Sequence, residues 1–239
     1  MKSSTHELSK IEFIDFHTHK QIVLPKTLSV ISIELADLKN PVPDNPDHRF
    51  FSIGLHPWRL PANTNTLEKD LETLRQALHA PEVIALGEVG LDRLRGPDME
   101  IQKVYFIGAL KLAKELKKTL IVHCVRCYPE LLSMKKQFAP DVNMLVHAYN
   151  GKIEILKQLL KQDCYVSFGV AALRRDDICG YIRQKPDCLQ RICLETDDSE
   201  ANIEDIFKHA AQVFEIDISE LKRIMKTNFI SLFQDFTNV

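Results

Sequence analysis

Six residues of metal-binding type each stand at the end of a short apolar run. Leu-Ile-Val precedes one histidine and Met-Leu-Val precedes another. A short apolar run between turn residues predicts a buried strand, and in a parallel barrel the carboxyl ends of all strands lie on one face. We therefore expect the six side chains to converge and to bind metal ions. They are His17, His19, Glu88, His123, His147 and Asp197.

The spacing within this set adds detail. On a strand, His17 and His19 point to the same side, so one ion could bind both. Asp15 lies two residues earlier on the same face and could orient an imidazole. Glu88 follows Gly87, and its two oxygens could bridge two cations. The structural alternative is a set of core histidines and a buried glutamate paired with an arginine, but burial without a partner charge is costly.

Three further residues are candidates for substrate contact. His56 precedes Pro57, which favours an extended backbone and a displayed ring, so His56 could donate a proton. Asp92 is expected in the loop after Glu88, holding a ligand or a substrate group. Arg126 could bind phosphate oxygens. Trp58, the sole tryptophan, is either a core residue or a base-stacking surface.

Arginines also follow the predicted strand ends. A guanidinium suits bidentate phosphate contact, although loops at a surface are polar in any case. Both interpretations stay open for the group, which consists of Arg59, Arg93, Arg95, Arg126, Arg174 and Arg175.

Composition excludes several classes of protein. Six cysteines in 239 residues are too few for a disulfide scaffold, and Cys124-x-x-Cys127 has no second pair to complete a zinc ribbon. A net charge of −2 gives no overall nucleic-acid footprint, so any anionic partner must be bound locally. Without an apolar leader or a membrane-length run, we expect a cytoplasmic protein without membrane contact.

Eight strands alternating with helical patterns predict a parallel sheet closed into a TIM-like (β/α)8 barrel, with distortion allowed, and one domain over residues 1–239. The predicted strands cover residues 11–17, 29–35, 50–54, 83–87, 119–123, 143–147, 164–168 and 191–195.

Helix cover is reduced after the first two strands. Residues 20–28 are too few for a helix, and prolines interrupt residues 36–49. We expect another part of the protein to shield those strands: the N-terminal arm, a C-terminal helix or a second subunit. The last of these would make the protein a homo-oligomer.

The ordered motifs resemble the TatD family of metal-dependent hydrolases over nearly the whole chain. They are Phe-Ile-Asp-Phe-His-Thr-His, Gly-Leu-His-Pro-Trp, Gly-Glu-Val-Gly-Leu-Asp, Ile-Val-His, Val-His-Ala-Tyr-Asn-Gly and Leu-Glu-Thr-Asp. The resemblance implies an amidohydrolase-like barrel with exonuclease or related phosphoesterase activity, and the same six metal ligands. The sequence departs from the family pattern at Asp198-Ser199-Glu200, at Ala109 and in the position of Arg126, so the substrate rim is altered and DNA is one candidate substrate.

We expect a phosphoesterase of deoxyribonuclease type with two divalent cations, whether Zn, Mn, Ni, Co or Mg. Glu88 would bridge them, and Asp197 would take the proton from the attacking water. The substrate would be an anionic phosphate ester. The first alternative is hydrolysis of C–N or C–O bonds in an amide, lactone or deaminase substrate on the same barrel. The second is a metal-holding binding protein without turnover.

Overall fold

The computed structural model describes residues 10–21, 24–38 and 49–233, which form an eight-stranded sheet. Neighbouring strands pair in parallel, and their spatial order follows the chain. The strands are β1 (Phe13–Thr18), β2 (Thr27–Glu34), β3 (Arg49–Gly54), β4 (Val83–Asp92), β5 (Thr119–Val125), β6 (Met144–Val146), β7 (Tyr165–Phe168) and β8 (Ile192–Leu194).

The two outer strands of this sheet meet just beyond the end of β8. The backbone N–H of Asp197 donates to the carbonyl of His17 at 3.1 Å, and Thr18 pairs with Asp197 in a parallel bridge. The carboxylate of Asp15 accepts from the backbone N–H of Thr196 at 2.9 Å and from its hydroxyl at 2.7 Å. These contacts nearly close the sheet, which confirms the predicted barrel.

Helices occupy most connections. They are α1 (Leu67–Ala77), α2 (Met99–Leu116), α3 (Tyr128–Phe138), α4 (Ile153–Lys161), α5 (Val170–Leu173), α6 (Asp176–Gln184), α7 (Ile203–Phe214) and α8 (Ile218–Leu232), with 3-10 turns at Leu35–Asp37, Pro57–Arg59 and Pro186–Arg191. Asp98, Asn202 and Asp217 cap α2, α7 and α8 by accepting from a backbone N–H of the first turn. None of the helices in the described ranges combines the length and apolarity that a membrane span requires.

The C-terminal helix α8 supplies the missing cover for β1. Phe229 lies with its ring centroid 5.8 Å from that of Phe16 and 6.5 Å from that of Phe50. Phe233, just after α8, stacks 6.4 Å from Phe16, while Phe207 of α7 meets Phe13 at 5.3 Å. Of the three predicted sources of cover, the helix is therefore the one observed, and this face of β1 needs no second subunit. Residues 1–9, the N-terminal arm, lie outside the described residues.

Strand β4 runs to Asp92, so the prediction that it ends at residue 87 and leaves Asp92 in a loop is wrong. The register shifts between Leu86 and Val89 and pairing with β5 then resumes. Gly90, at φ +146°, makes this possible, because a Cβ there would lie 1.9 Å from the carbonyl oxygen of His123. Gly90 therefore permits the close approach of two strands.

The aromatic packing of α8 predicts a large stability effect. Replacing Phe229, which is fully buried, by alanine should lower the free energy of unfolding by roughly 3–5 kcal/mol, the usual range for phenylalanine in a core. Ile230→Ala is the matched control, since its neighbouring side chain is 38% exposed, and should change the value by about 0.5 kcal/mol or less. Urea unfolding of both variants measures this. Equal effects would contradict the assigned cover.

Candidate metal centre

The carboxyl ends of the strands surround a cavity of about 670 Å³. Five of the six predicted ligands line it, and His17 lies beneath it, fully buried. β1 supplies His17 and leads into His19, β4 supplies Glu88, β5 supplies His123, and His147 and Asp197 follow β6 and β8. The structure therefore brings all six candidates to one end of the barrel.

Glu88 lies at the centre of the group. Its Oε1 is 3.0 Å from Nε2 of His19 and 3.3 Å from Nε2 of His17. Its Oε2 is 2.8 Å from Nε2 of His147 and 3.5 Å from Nε2 of His56. Each oxygen of one carboxylate thus faces a separate pair of imidazoles, which is the arrangement that a bridging ligand requires.

The electrostatics of this contact favour the charged carboxylate. Burial alone would raise the pKa of Glu88, but the charges and close contacts of His147 and His17 hold the pKa well below its usual value. Glu88 is only 5% exposed, so these imidazoles replace the water that an exposed carboxylate would bind.

Asp197 reaches the same point from the opposite side. The residue adopts a left-handed backbone at φ 49°, and its Oδ1 lies 3.6 Å from Nε2 of both His17 and His19. Burial would raise the pKa of Asp197, yet its contact with His17 and the charges of His147 and His17 lower it. A side chain that is 30% exposed can also reach solvent in the cavity.

His123 is turned toward Asp92. Its Nε2 donates to Asp92 Oδ2 at 3.0 Å, and its ring centroid lies 5.6 Å from that of His147 and 4.6 Å from that of His56. Burial lowers the pKa of His123, and the charge of His147 lowers it further. His123 could still share an ion with Glu88 and His56, since one donor atom from each lies within 4.8 Å of the others.

Asp92 is buried at 2% exposure, although the sequence predicted it to face a ligand or substrate. Its Oδ2 also accepts from the indole N–H of Trp58 at 2.5 Å, and its Oδ1 accepts from the backbone N–H groups of Leu94 and Arg95 at 2.7 and 3.1 Å. Asp92 therefore orients His123 and Trp58.

His56, which the sequence predicted to face the substrate, lines the cavity. Burial lowers its pKa to about 4, and the charges of His123, His147 and His19 act in the same direction. The imidazole is therefore neutral at pH 7. In that form the ring can donate one N–H hydrogen bond and accept one through its other nitrogen, but it has no imidazolium proton to transfer as an acid.

One of the two supporting carboxylates, Asp15, differs from the prediction. Among the described residues Asp15 accepts from no imidazole and binds Thr196 instead, while burial raises the pKa of Asp15 to about 7. Glu195, which is fully buried, accepts from the backbone N–H of Ala148 at 2.5 Å and from the hydroxyl of Ser167. It thus fixes the backbone just after His147.

Two residues of β2 near Glu88 escaped the sequence analysis. The hydroxyl of Ser32 donates to Glu88 Oε1 at 3.2 Å. Glu34 accepts from the backbone N–H of His56 at 3.0 Å, and burial raises the pKa of Glu34 to about 7. Both line the cavity. Ser32 and Glu34 are two residues apart at the end of a predicted strand, and this spacing is the sequence feature that could have identified them.

The donor set fits divalent cations. Both ring nitrogens of His17 and of His147 are buried, and among the described residues none of the four has a hydrogen-bond partner of good geometry. Burial would lower the pKa of His17, but the negative charge of Glu88 and the close contacts with the carboxylates of Asp197 and Glu88 raise it well above its usual value. The raised pKa of His17 shows that the electrostatic potential at this position is negative, which favours a bound cation. Imidazole and carboxylate donors suit borderline divalent metals.

Comparisons with known proteins agree with this geometry. The family model described as TatD related DNase matches residues 10–234. The uncharacterized metal-dependent hydrolase YcfH of Escherichia coli is 28% identical, over 78% of this chain and 74% of its own. The human 3'-5' RNA nuclease TATDN2 is 34% identical, over 61% of this chain and 19% of its own. In fold, the chain is similar to the crystal structure of YJJV, a TATD homolog of Escherichia coli, with TM-score 0.75 and 23% identity over 94% of this chain and 98% of that one.

The family match spans every strand of the barrel and all six residues around the cavity. The chain therefore belongs to the TatD-related DNase family of metal-dependent hydrolases.

Proposed function

We propose that this chain hydrolyses phosphodiester bonds of nucleic acid with two divalent cations bound around Glu88. The observation that carries the proposal is the buried carboxylate of Glu88, whose two oxygens face His17 and His19 on one side and His147 on the other. The family match and the nuclease named among the relatives support this choice of bond.

Each cation would have its own set of donors. His17, His19 and Asp197 would hold one, and His123 and His147 the other, with Glu88 shared between them. Cations bound there would supply Lewis-acid activation of the phosphate and of a water molecule. Zn, Mn, Ni, Co and Mg are the candidates.

The chain's own residues would then move the proton and orient the phosphate. Asp197 would take the proton of the attacking water, because its lowered pKa keeps it ionised at neutral pH and part of it is exposed. Neutral His56 would donate its N–H to a phosphate oxygen. Arg126, which is exposed after β5 at φ 56°, is the further candidate for phosphate contact.

A second candidate reaction is hydrolysis of a C–N or C–O bond, for which the arginines provide a specific argument. Arg59, Arg93 and Arg175 form ion pairs with Asp37, Glu130 and Asp177, respectively. Three of the six arginines considered for phosphate binding thus have their charge balanced by a carboxylate, which weakens the argument for an anionic substrate.

Direct profiling separates the two candidates. Purified protein loaded with each cation should hydrolyse oligonucleotides of DNA or RNA and leave phosphomonoesters, lactones and cyclic amides intact. Comparing DNA with RNA also tests the rim at Asp198-Ser199-Glu200, where the sequence departs from the family pattern. Turnover of lactones or cyclic amides without oligonucleotide cleavage would replace the proposal with the second candidate.

The proposed base predicts a selective loss of rate. Asp197→Asn keeps the size of the side chain and an oxygen ligand but removes the proton acceptor, so kcat should fall by roughly 100-fold or more. Elemental analysis should find unchanged metal content, and thermal unfolding should show a folded protein. Wild-type turnover in the variant would refute the assignment of Asp197 as base.

The proposed ligands predict metal-dependent stability. At a free-ion concentration about 100 times Kd, binding to the folded state should raise Tm by roughly 5–10 °C. His147→Ala should reduce this shift. The matched control His79→Ala removes an exposed histidine at the end of α1 and should preserve it. Calorimetric scans with added cation and with chelator provide the measurement, and equal shifts in the two variants would contradict the ligand set.

A further inference from the structure

The sole tryptophan of the chain stands exposed at the wall of the metal cavity. Trp58 is 44% exposed and lines the cavity beside His56 and His123, whose ring centroids lie 4.8 and 5.3 Å from that of the indole. Trp58 therefore leaves a large aromatic surface in contact with solvent, within a few ångströms of the predicted metal ligands.

A guanidinium lies over this indole. The Cζ atom of Arg95 is 4.1 Å from the ring centroid of Trp58, which is the geometry of a cation–π contact. Unlike Arg59 and Arg93, Arg95 forms no ion pair with a carboxylate in the part of the chain that the structure describes. Its charge is thus still available to an anion.

The segment that carries Arg95 is fixed by a buried side chain. Nε2 of Gln102, a residue that is 1% exposed, donates to the carbonyl groups of Asp92, Arg95 and Pro97 at 3.0, 3.1 and 2.9 Å. Its Oε1 accepts from the backbone N–H of Asp92 at 2.7 Å. One amide group therefore holds both ends of the segment.

The carboxylate of Asp92 fixes both Trp58 and Arg95. Asp92 accepts from the indole N–H of Trp58 through Oδ2 and from the backbone N–H of Arg95 through Oδ1. Gly96 packs against the turn that carries Trp58, since a Cβ there would lie 2.4 Å from the carbonyl oxygen of Pro57. The exposed pair is therefore built on a rigid base, which reduces the entropy cost of binding a ligand.

We propose that Trp58 and Arg95 form a subsite that stacks the nucleobase of the nucleotide adjoining the scissile phosphate. This inference rests on the proposed function and assigns recognition of the substrate's base to these two residues. Aromatic rings and guanidinium planes stack on any nucleobase and give little sequence preference, while the charge of Arg95 is positioned for a neighbouring phosphate.

A base inside a duplex is stacked on its neighbours and cannot reach the indole without being unpaired. The subsite also separates nucleic acid from other phosphodiesters, because an abasic deoxyribose phosphate presents the same ester without a ring to stack.

The first experiment uses Trp58 as its own reporter, because no other tryptophan contributes to the fluorescence. Metal-loaded wild-type protein is titrated with deoxyadenosine monophosphate and, in parallel, with deoxyribose phosphate. We expect saturable quenching by the nucleotide after correction for absorbance, and none by the abasic compound. Identical responses to the two would overturn the subsite, whatever the enzyme hydrolyses.

The second experiment measures kcat/KM on two oligonucleotides, one with a base and one with an abasic residue at the cleaved end. The base-bearing substrate should be preferred by roughly 5- to 150-fold, the range expected for one base–aromatic stack. Trp58→Phe and Trp58→Leu both remove the N–H that donates to Asp92. A difference in base preference between the two variants therefore reports on the aromatic ring alone. The preference should persist in Trp58→Phe and be lost in Trp58→Leu.

The outcomes also separate the subsite from the proposed function. Equal cleavage of the two oligonucleotides by the wild type, or an equal preference in the two variants, would overturn the subsite while leaving the phosphodiesterase intact. Failure to cleave either oligonucleotide with any cation would overturn the proposed function itself.

Discussion

The buried carboxylate of Glu88 is the constraint on which the rest of the site depends. An isolated charge in a protein interior is costly, and removing one partner of a buried pair costs more than forming the pair contributes. Glu88 is compensated by imidazoles from β1 and from the segment after β6. These elements are distant in sequence, so only the barrel brings them together. The charge of Glu88 is thus tolerable only in the folded arrangement that a metal site needs.

The barrel must also close for Asp197 to take part, and its seam is polar. Asp15 and Thr196 join β1 to the end of β8 through two hydrogen bonds, and the backbone of Asp197 continues the pairing with His17. The left-handed turn at Asp197 then directs its carboxylate into the cavity. A second buried carboxylate, Glu195, directly follows β8. It accepts from Ser167 of β7 and from the backbone that follows His147, and so connects the end of β8 to both. The seam therefore holds the geometry of the metal ligands as well as the fold.

The sequence predicted the strands and the convergence of the six residues because apolar runs mark strands, and parallel strands share one carboxyl edge. It failed at Asp92, because the apolar run ends at residue 87 while the strand continues to Asp92 after a shift in register. The interactions of Asp92 with His123, Trp58 and the loop before α2 join separate elements, and no local pattern encodes such contacts. The cover by α8 was one of three open possibilities for the same reason: periodicity identifies a helix but does not state which strand it packs against.

The charge of the cavity wall bears on how a substrate is recognised. Glu34, Asp37 and Asp198 line it, and Arg59, its single arginine among the described residues, is paired with Asp37. The wall itself therefore offers a phosphate little net positive charge, and a polyanion gains little from it. Attraction for the scissile phosphate must come from bound cations, and discrimination among phosphodiesters from contacts that do not depend on backbone charge. An exposed indole held rigidly beside the ligands is a contact of that kind, because stacking requires that a base be present and depends only weakly on salt.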